Sequence, residues 1–135
     1  MAVNLFFEAR GESPLAKLWV LQIVENRVHS DEFPDSYCDV VFQKGAFSWT
    51  YFVERKRAHN WSNYINEKFP SEWKTYIDIY ELSTFFYYSF RYYGDFTDNS
   101  ICYMTVELYI DRGYKRNCPK TKYKEIQGNH VFFNF

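Results

Sequence analysis

Apolar positions recur at helical spacing along most of this chain and alternate only near its end. Val3, Phe6 and Phe7 share one side of a short segment, which predicts a helix over residues 2–9. Gly11 is expected to close it in the left-handed conformation. Ser13-Pro14 then restarts a helix, with Ser as N-cap and Pro at the first helical position. From Pro14 to about His29, Leu18, Leu21, Val24 and Val28 keep the period, and Trp19, Val20 and Ile23 widen the stripe towards burial on more than one side. A helical turn is predicted near Asp35–Gln43, closed by Gly45. The stretch "YFVERKRAHNWSNYINEKFP" is polar and aromatic by turns and receives no element. From Ser71 to Tyr93 the positions Trp73, Ile77, Tyr80, Thr84 and Tyr87 are again helical; Gly94 ends that helix and "DFTDN" is a turn. "ICYMTVELYI" alternates in β-branched and aromatic residues and predicts a strand, with "HVFFNF" as its partner. The fold class is α+β, mostly helical, a single domain over residues 1–135 with a small β element.

Composition narrows the function classes. A length of 135 residues is enough for one core without staples. The formal net charge of -1 advertises no polyanion, so no nucleic acid partner is expected. Aromatic residues make up 23% of the chain, more than a core needs, and the surplus suits a groove for an extended ligand such as a glycan. Cys38, Cys102 and Cys118 form no CxxC pair, which argues for a reducing compartment and against a disulfide framework. His29, His59 and His130 are scattered, so neither a metal nor a cofactor is expected. No apolar stretch is long enough for a membrane span, and "MAVNLFF" lacks the basic region of a signal peptide. Arg55-Lys56-Arg57 reads as a solvated loop, with a phosphate site as the alternative.

Glu8 is the candidate for chemistry. A carboxyl group donates a proton near neutral pH only when its pKa is raised, and burial against apolar groups raises it. Glu8 follows Leu5, Phe6 and Phe7 and lies near the C-terminal end of its helix, where the helix dipole also disfavours a carboxylate. Both influences favour a general acid. An ordinary partnered glutamate would occupy the same context.

"FFEARGESPLAKLWVLQIVENRV" resembles the opening motif of the SleB-like cell-wall hydrolases, the family of spore cortex-lytic enzymes and some phage lysins. Glu8-Ala9-Arg10-Gly11-Glu12 and Asn26-Arg27-Val28 carry its E-A-R-G-E and N-R-V elements. Phe33-Pro34, Val40 to Gln43 and Gly45 to Ser48 resemble a middle segment; Asp95, Thr97 and Tyr103 a later one; Gly128 to Phe133 the closing one. The resemblance implies a lysozyme- or lytic-transglycosylase-like fold that cleaves peptidoglycan glycan strands, with Glu8 as acid and then base. It also implies that Phe47, Ser48 and Tyr103 line the sugar groove. Glu12 would be structural, bonded to nearby backbone N–H groups or Arg10; Asn26 and Arg27 would fix the helix pair, and His130 the terminal segment. A monomeric phage-type endolysin is expected, made in the host cytoplasm and acting on periplasmic peptidoglycan after release. A hydrolytic muramidase, an amidase and a non-catalytic glycan-binding module stay open.

Two departures from the family pattern stand out. Phe96 and Asn99-Ser100-Ile101 replace a proline and a glycine-alanine pair, making that loop bulkier. Residues 49–67 carry little family character.

Overall fold

The computed structural model describes residues 1–55, 60–97, 99–107, 110 and 124–133. Lys56, Arg57, His59 and Cys118, named above, lie outside them, as does Asp98 of the "DFTDN" turn. Helix α1 spans Ala2–Ala9 and α2 Pro14–Val28; α3 is Tyr37–Phe42, α4 Trp61–Lys68 and α5 Trp73–Tyr93. Short 3-10 turns occupy Ser48–Tyr51 and Pro70–Glu72. Strands β1 (Cys102–Thr105), β2 (Lys124–Gln127) and β3 (His130–Phe133) form an antiparallel sheet in the order β1-β3-β2.

Helix α2 is the axis. Its start follows the local chemistry: the Ser13 hydroxyl accepts from Ala16 N at 3.2 Å, and Pro14 stands where no N–H is needed. Trp19 to Glu25 are buried without a break, so the helix has no solvent side along that stretch. Around it pack α1, α3, α5 and the sheet. The first core cluster joins Leu5 and Phe6 of α1, Trp19 and Ile23 of α2, Tyr76 and Ile79 of α5, and Phe132 of β3. The second gathers Val24, Val40, Val41, Phe47 and Trp49. Glu25, buried in α2, accepts the Tyr37 hydroxyl at 2.7 Å and so fastens α3.

Several expectations need correction. Gly11 does not adopt a left-handed conformation. Arg10 stays right-handed, Glu12 N bonds Ala9 O at 3.0 Å, and Lys17 Nζ donates to the Glu12 carbonyl at 2.6 Å, so the junction closes without a positive φ. Gly45 and Gly94 do turn left-handed, at φ 82° and 67°. The predicted strand over residues 101–110 shrinks to β1, because Val106 and Glu107 are helical. Strand β2 and helix α4 went unassigned; α4 is amphipathic around one fully buried residue, Ile65, too sparse a stripe to read. Cys102 is disulfide-bonded, against the expectation of reduced cysteines, while Cys38 is free.

Candidate active site

The sheet delivers side chains to the helices by its period of two. Tyr103 stands opposite Phe132, and Thr105 opposite His130, so one face of β1 and β3 carries Tyr103, His130 and Phe132. The other face carries Cys102, Val131 and Phe133 into a separate small core. The Tyr103 ring stacks on Phe132 at 5.6 Å and meets His130 edge-on at 5.3 Å. Its hydroxyl reaches the last turn of α1 and donates to Glu8 Oε2 at 2.9 Å.

Glu8 is half-buried, and burial is the largest influence on its pKa, which is raised above 4.5. The Tyr103 hydrogen bond and the charge of Arg27 act the other way, more weakly. Tyr103 is itself pushed well above its usual range by burial and by Glu8, so it remains a donor. Arg27 is buried; its Nε donates to Ile101 O at 2.7 Å, and its guanidinium sits over the rings of Phe33 and Phe47 at 5.2 and 5.4 Å. The result is a carboxyl group whose pKa is raised by burial, with one hydroxyl donor and a buried cation nearby.

The remaining sequence-selected residues divide by position. Phe47 is 2% exposed; its ring lies under Arg27 and 6.4 Å from Tyr103, so it supports these two rather than offering a face to a sugar. Ser48 is exposed at the start of a 3-10 turn. Glu12 accepts from the backbone N–H of Asn129 at 3.2 Å, and its other oxygen lies 4.0 Å from His130 Nδ1. Arg10 does not pair with Glu12; it pairs with Glu72 at 2.6 Å. The Asn26 amide donates to Thr97 Oγ1 at 3.0 Å and Ser100 O at 2.8 Å, tying α2 to the loop before β1 rather than to α1. Asp95, in that loop, accepts from Thr97 N and Oγ1, so its carboxylate is occupied in holding the turn.

Two residues given only structural roles by the sequence stand at the site. Arg27 was placed as a helix fastener, and only its arginine-after-asparagine motif marked it. His130 is buried beneath Tyr103, its pKa lowered by desolvation, and its Nδ1 has no hydrogen-bond partner. Nothing local in the sequence brings Arg27 near Glu8 or His130 beneath Tyr103. Among the described residues, no group of three or more His, Cys, Asp or Glu side chains is arranged to hold a metal.

A family model described as Cell Wall Hydrolase matches residues 11–133. That span includes Arg27, Phe47, Ser48 and Tyr103 and begins three positions after Glu8. Two solved structures are similar to the whole chain. The catalytic domain of the Bacillus cereus SleB protein shares 20% identity at a TM-score of 0.58, covering 99% of this chain and 86% of that one. The catalytic domain of the germination-specific lytic transglycosylase SleB from Bacillus anthracis gives the same identity and TM-score, covering 99% and 90%. At that identity the likeness shows the fold, an α+β arrangement shared with these catalytic domains. No curated protein matches the chain significantly.

Proposed function

Because the chain belongs to the cell wall hydrolase family, we propose that it cleaves the glycan strands of peptidoglycan as a lytic transglycosylase between N-acetylmuramic acid and N-acetylglucosamine, with Glu8 as the single acid and base. The observation that carries this reading is the half-buried Glu8 carboxyl, its pKa raised by burial and its Oε2 occupied by the Tyr103 hydroxyl. With Oε2 accepting from Tyr103, the acidic proton rides on Oε1, free to reach the glycosidic oxygen. Transfer of that proton lets the bond between the muramyl C1 and the leaving oxygen break. The Glu8 carboxylate then takes the proton of the muramyl 6-hydroxyl as that oxygen bonds to C1, closing a 1,6-anhydro ring and restoring the acid. Arg27 and the Tyr103 donor both favour the transient carboxylate.

Hydrolysis would instead need a second carboxylate to activate water. The two nearest candidates by sequence motif are engaged elsewhere, Glu12 at the β2–β3 turn and Asp95 in its own loop. Phe47 is proposed to hold Tyr103 and Arg27 in place, and Ser48 to offer its exposed hydroxyl to substrate. The endolysin role rests on the sequence resemblance. Action outside the cytoplasm is supported by the disulfide at Cys102, which an oxidising compartment would keep.

The test is digestion of purified sacculi by the wild type and Glu8→Gln, with mass spectrometry of the released muropeptides. The wild type should yield fragments ending in 1,6-anhydro-muramic acid, resistant to borohydride, and a folded E8Q protein should release none. Reducible muramic acid ends would make the enzyme a muramidase, free stem peptides an amidase. Lysis by folded E8Q would remove Glu8 from the mechanism.

A further inference from the structure

Away from Glu8, α1, α3, α4 and α5 enclose a cavity of about 390 Å³, within the range of small-ligand sites. Its walls include the rings of Tyr37, Phe42, Trp49, Trp61, Tyr76 and Tyr80, with Asn4, Asn60 and Ser62 as polar groups. A second cavity of about 290 Å³ shares Met1, Ala2, Tyr37 and Tyr80 with the first, so the two join as one groove. It continues along α5 past Ser83, Thr84, Tyr87 and Tyr88. Among the described residues, no Asp, Glu, Lys, Arg or His side chain lines either part.

Ser83 points to a ligand. It is 6% exposed, yet its hydroxyl has no hydrogen-bond partner within the fold, and an unpaired buried hydroxyl costs stability. Beside it stand rings open to solvent: Tyr80 is 52% exposed and Tyr88 68%. Tyr87 lies 6.0 Å from Tyr37 and 5.4 Å from Tyr88, so the rings follow one another along the groove. A pyranose has apolar C–H faces that pack on such rings and hydroxyls that need partners between them. No acidic or basic side chain faces a charged ligand here, burial disfavours the ammonium form of the Met1 amino group, and a wholly apolar ligand would leave Ser83 unsatisfied.

We propose that this groove is a second saccharide site, which binds a neutral N-acetylated amino-sugar unit of the glycan strand away from the bond being cut. The occupant's identity rests on the peptidoglycan reading above. The groove is joined to the candidate active site through Trp49, which lines it and stacks on Phe7, the neighbour of Glu8, at 4.9 Å. Trp49 Nε1 also donates at 2.9 Å to Asn4, one helical turn before Glu8. A strand held in the groove would therefore be anchored close to the site while it is cut.

Cys38, a free and exposed cysteine in the groove wall, serves as the local reporter. The experiment measures the alkylation rate of Cys38, by peptide mass spectrometry, against rising concentrations of an N-acetylglucosamine tetramer. The proteins compared are the wild type, Ser83→Ala and Tyr80→Ala. Bound tetramer should protect Cys38 in the wild type, and the midpoint should move up roughly fivefold in S83A, the share of one hydrogen bond. S83A should melt no lower than the wild type, since it removes an unpartnered hydroxyl from a helix that tolerates Ala well. Tyr80→Ala should weaken protection at least as much. Alkylation unaffected by saturating tetramer, or equal protection in all three proteins, would overturn the proposal. So would protection by free stem peptide in place of the sugar. Muropeptide release from sacculi by the same wild-type preparation reports the cutting activity separately. Protection without release would leave the groove a glycan site and remove the transglycosylase reading; release without protection would do the reverse.

Discussion

Replacing Tyr103 by Phe removes one hydroxyl and leaves the ring where Phe132 and His130 hold it. What is lost is the 2.9 Å donation to Glu8 Oε2, and its worth depends on the charge of Glu8. With Glu8 protonated the bond is between neutral groups, about 0.5–1.5 kcal/mol; with Glu8 ionised it serves a charge, about 1.5–3 kcal/mol. Burial raises the Glu8 pKa, so the folded state holds the proton more tightly than the unfolded chain. The stability from that proton is full below the unfolded value near 4.5 and is lost as pH rises through the raised folded value. The Tyr103 bond offsets part of that loss. Y103F should therefore cost about 1 kcal/mol at about pH 4 and about 2 kcal/mol or more at about pH 8. Urea unfolding followed by tryptophan fluorescence at both pH values measures this, with E8Q and the double variant completing the cycle. In the E8Q background, where nothing ionises, the cost should not change with pH. E8Q itself should gain stability relative to the wild type as pH rises. In sacculus digestion, the alkaline limb set by loss of the Glu8 proton should move to higher pH in Y103F, because a bond that favours the carboxylate is gone. An equal cost at both pH values, or a limb that moves down, would refute the coupling of Tyr103 to Glu8.

Gly128 sits at φ 59° in the β2–β3 turn, and a Cβ there would collide with the Glu12 carboxylate; Gly128→Ala should cost about 2–4 kcal/mol in urea unfolding, and a loss below about 0.5 kcal/mol would contradict it. Asn26→Ala strands the Gln22 amide and the Ser100 carbonyl and removes the donor to Thr97 Oγ1, which keeps its own bond to Asp95, so a loss of about 2–4 kcal/mol is expected, and a neutral result would mean the α2–loop bonds carry little. Reduction should cost about 2–4 kcal/mol through the Cys102 disulfide, read as a lower melting temperature in dithiothreitol; identical melts would show that this cross-link does not form in solution.

Short-range signals in the sequence were enough for most of the helical frame. Ser13-Pro14 started α2, a wide apolar stripe marked its burial on more than one side, and Gly94 stopped α5, because capping and helical period depend on neighbours within about a turn. The same local context put an acid at the end of an apolar helix. Elsewhere the local signal was outweighed or too faint. Gly11 had the freedom to turn left-handed, but the Lys17 ammonium and Glu12 N–H closed the junction without it. Helix α4 holds to the core by Ile65 and its aromatic neighbours, contacts that no periodicity of its own announces. The surroundings of Glu8 were decided by tertiary structure alone. Its donor stands 95 positions away on a strand whose register alone turns Tyr103 towards α1, and the nearby cation reaches it from α2. A pKa is set by burial and by charges in space, so the sequence could nominate the carboxyl group, but only the fold could supply the surroundings that raise its pKa.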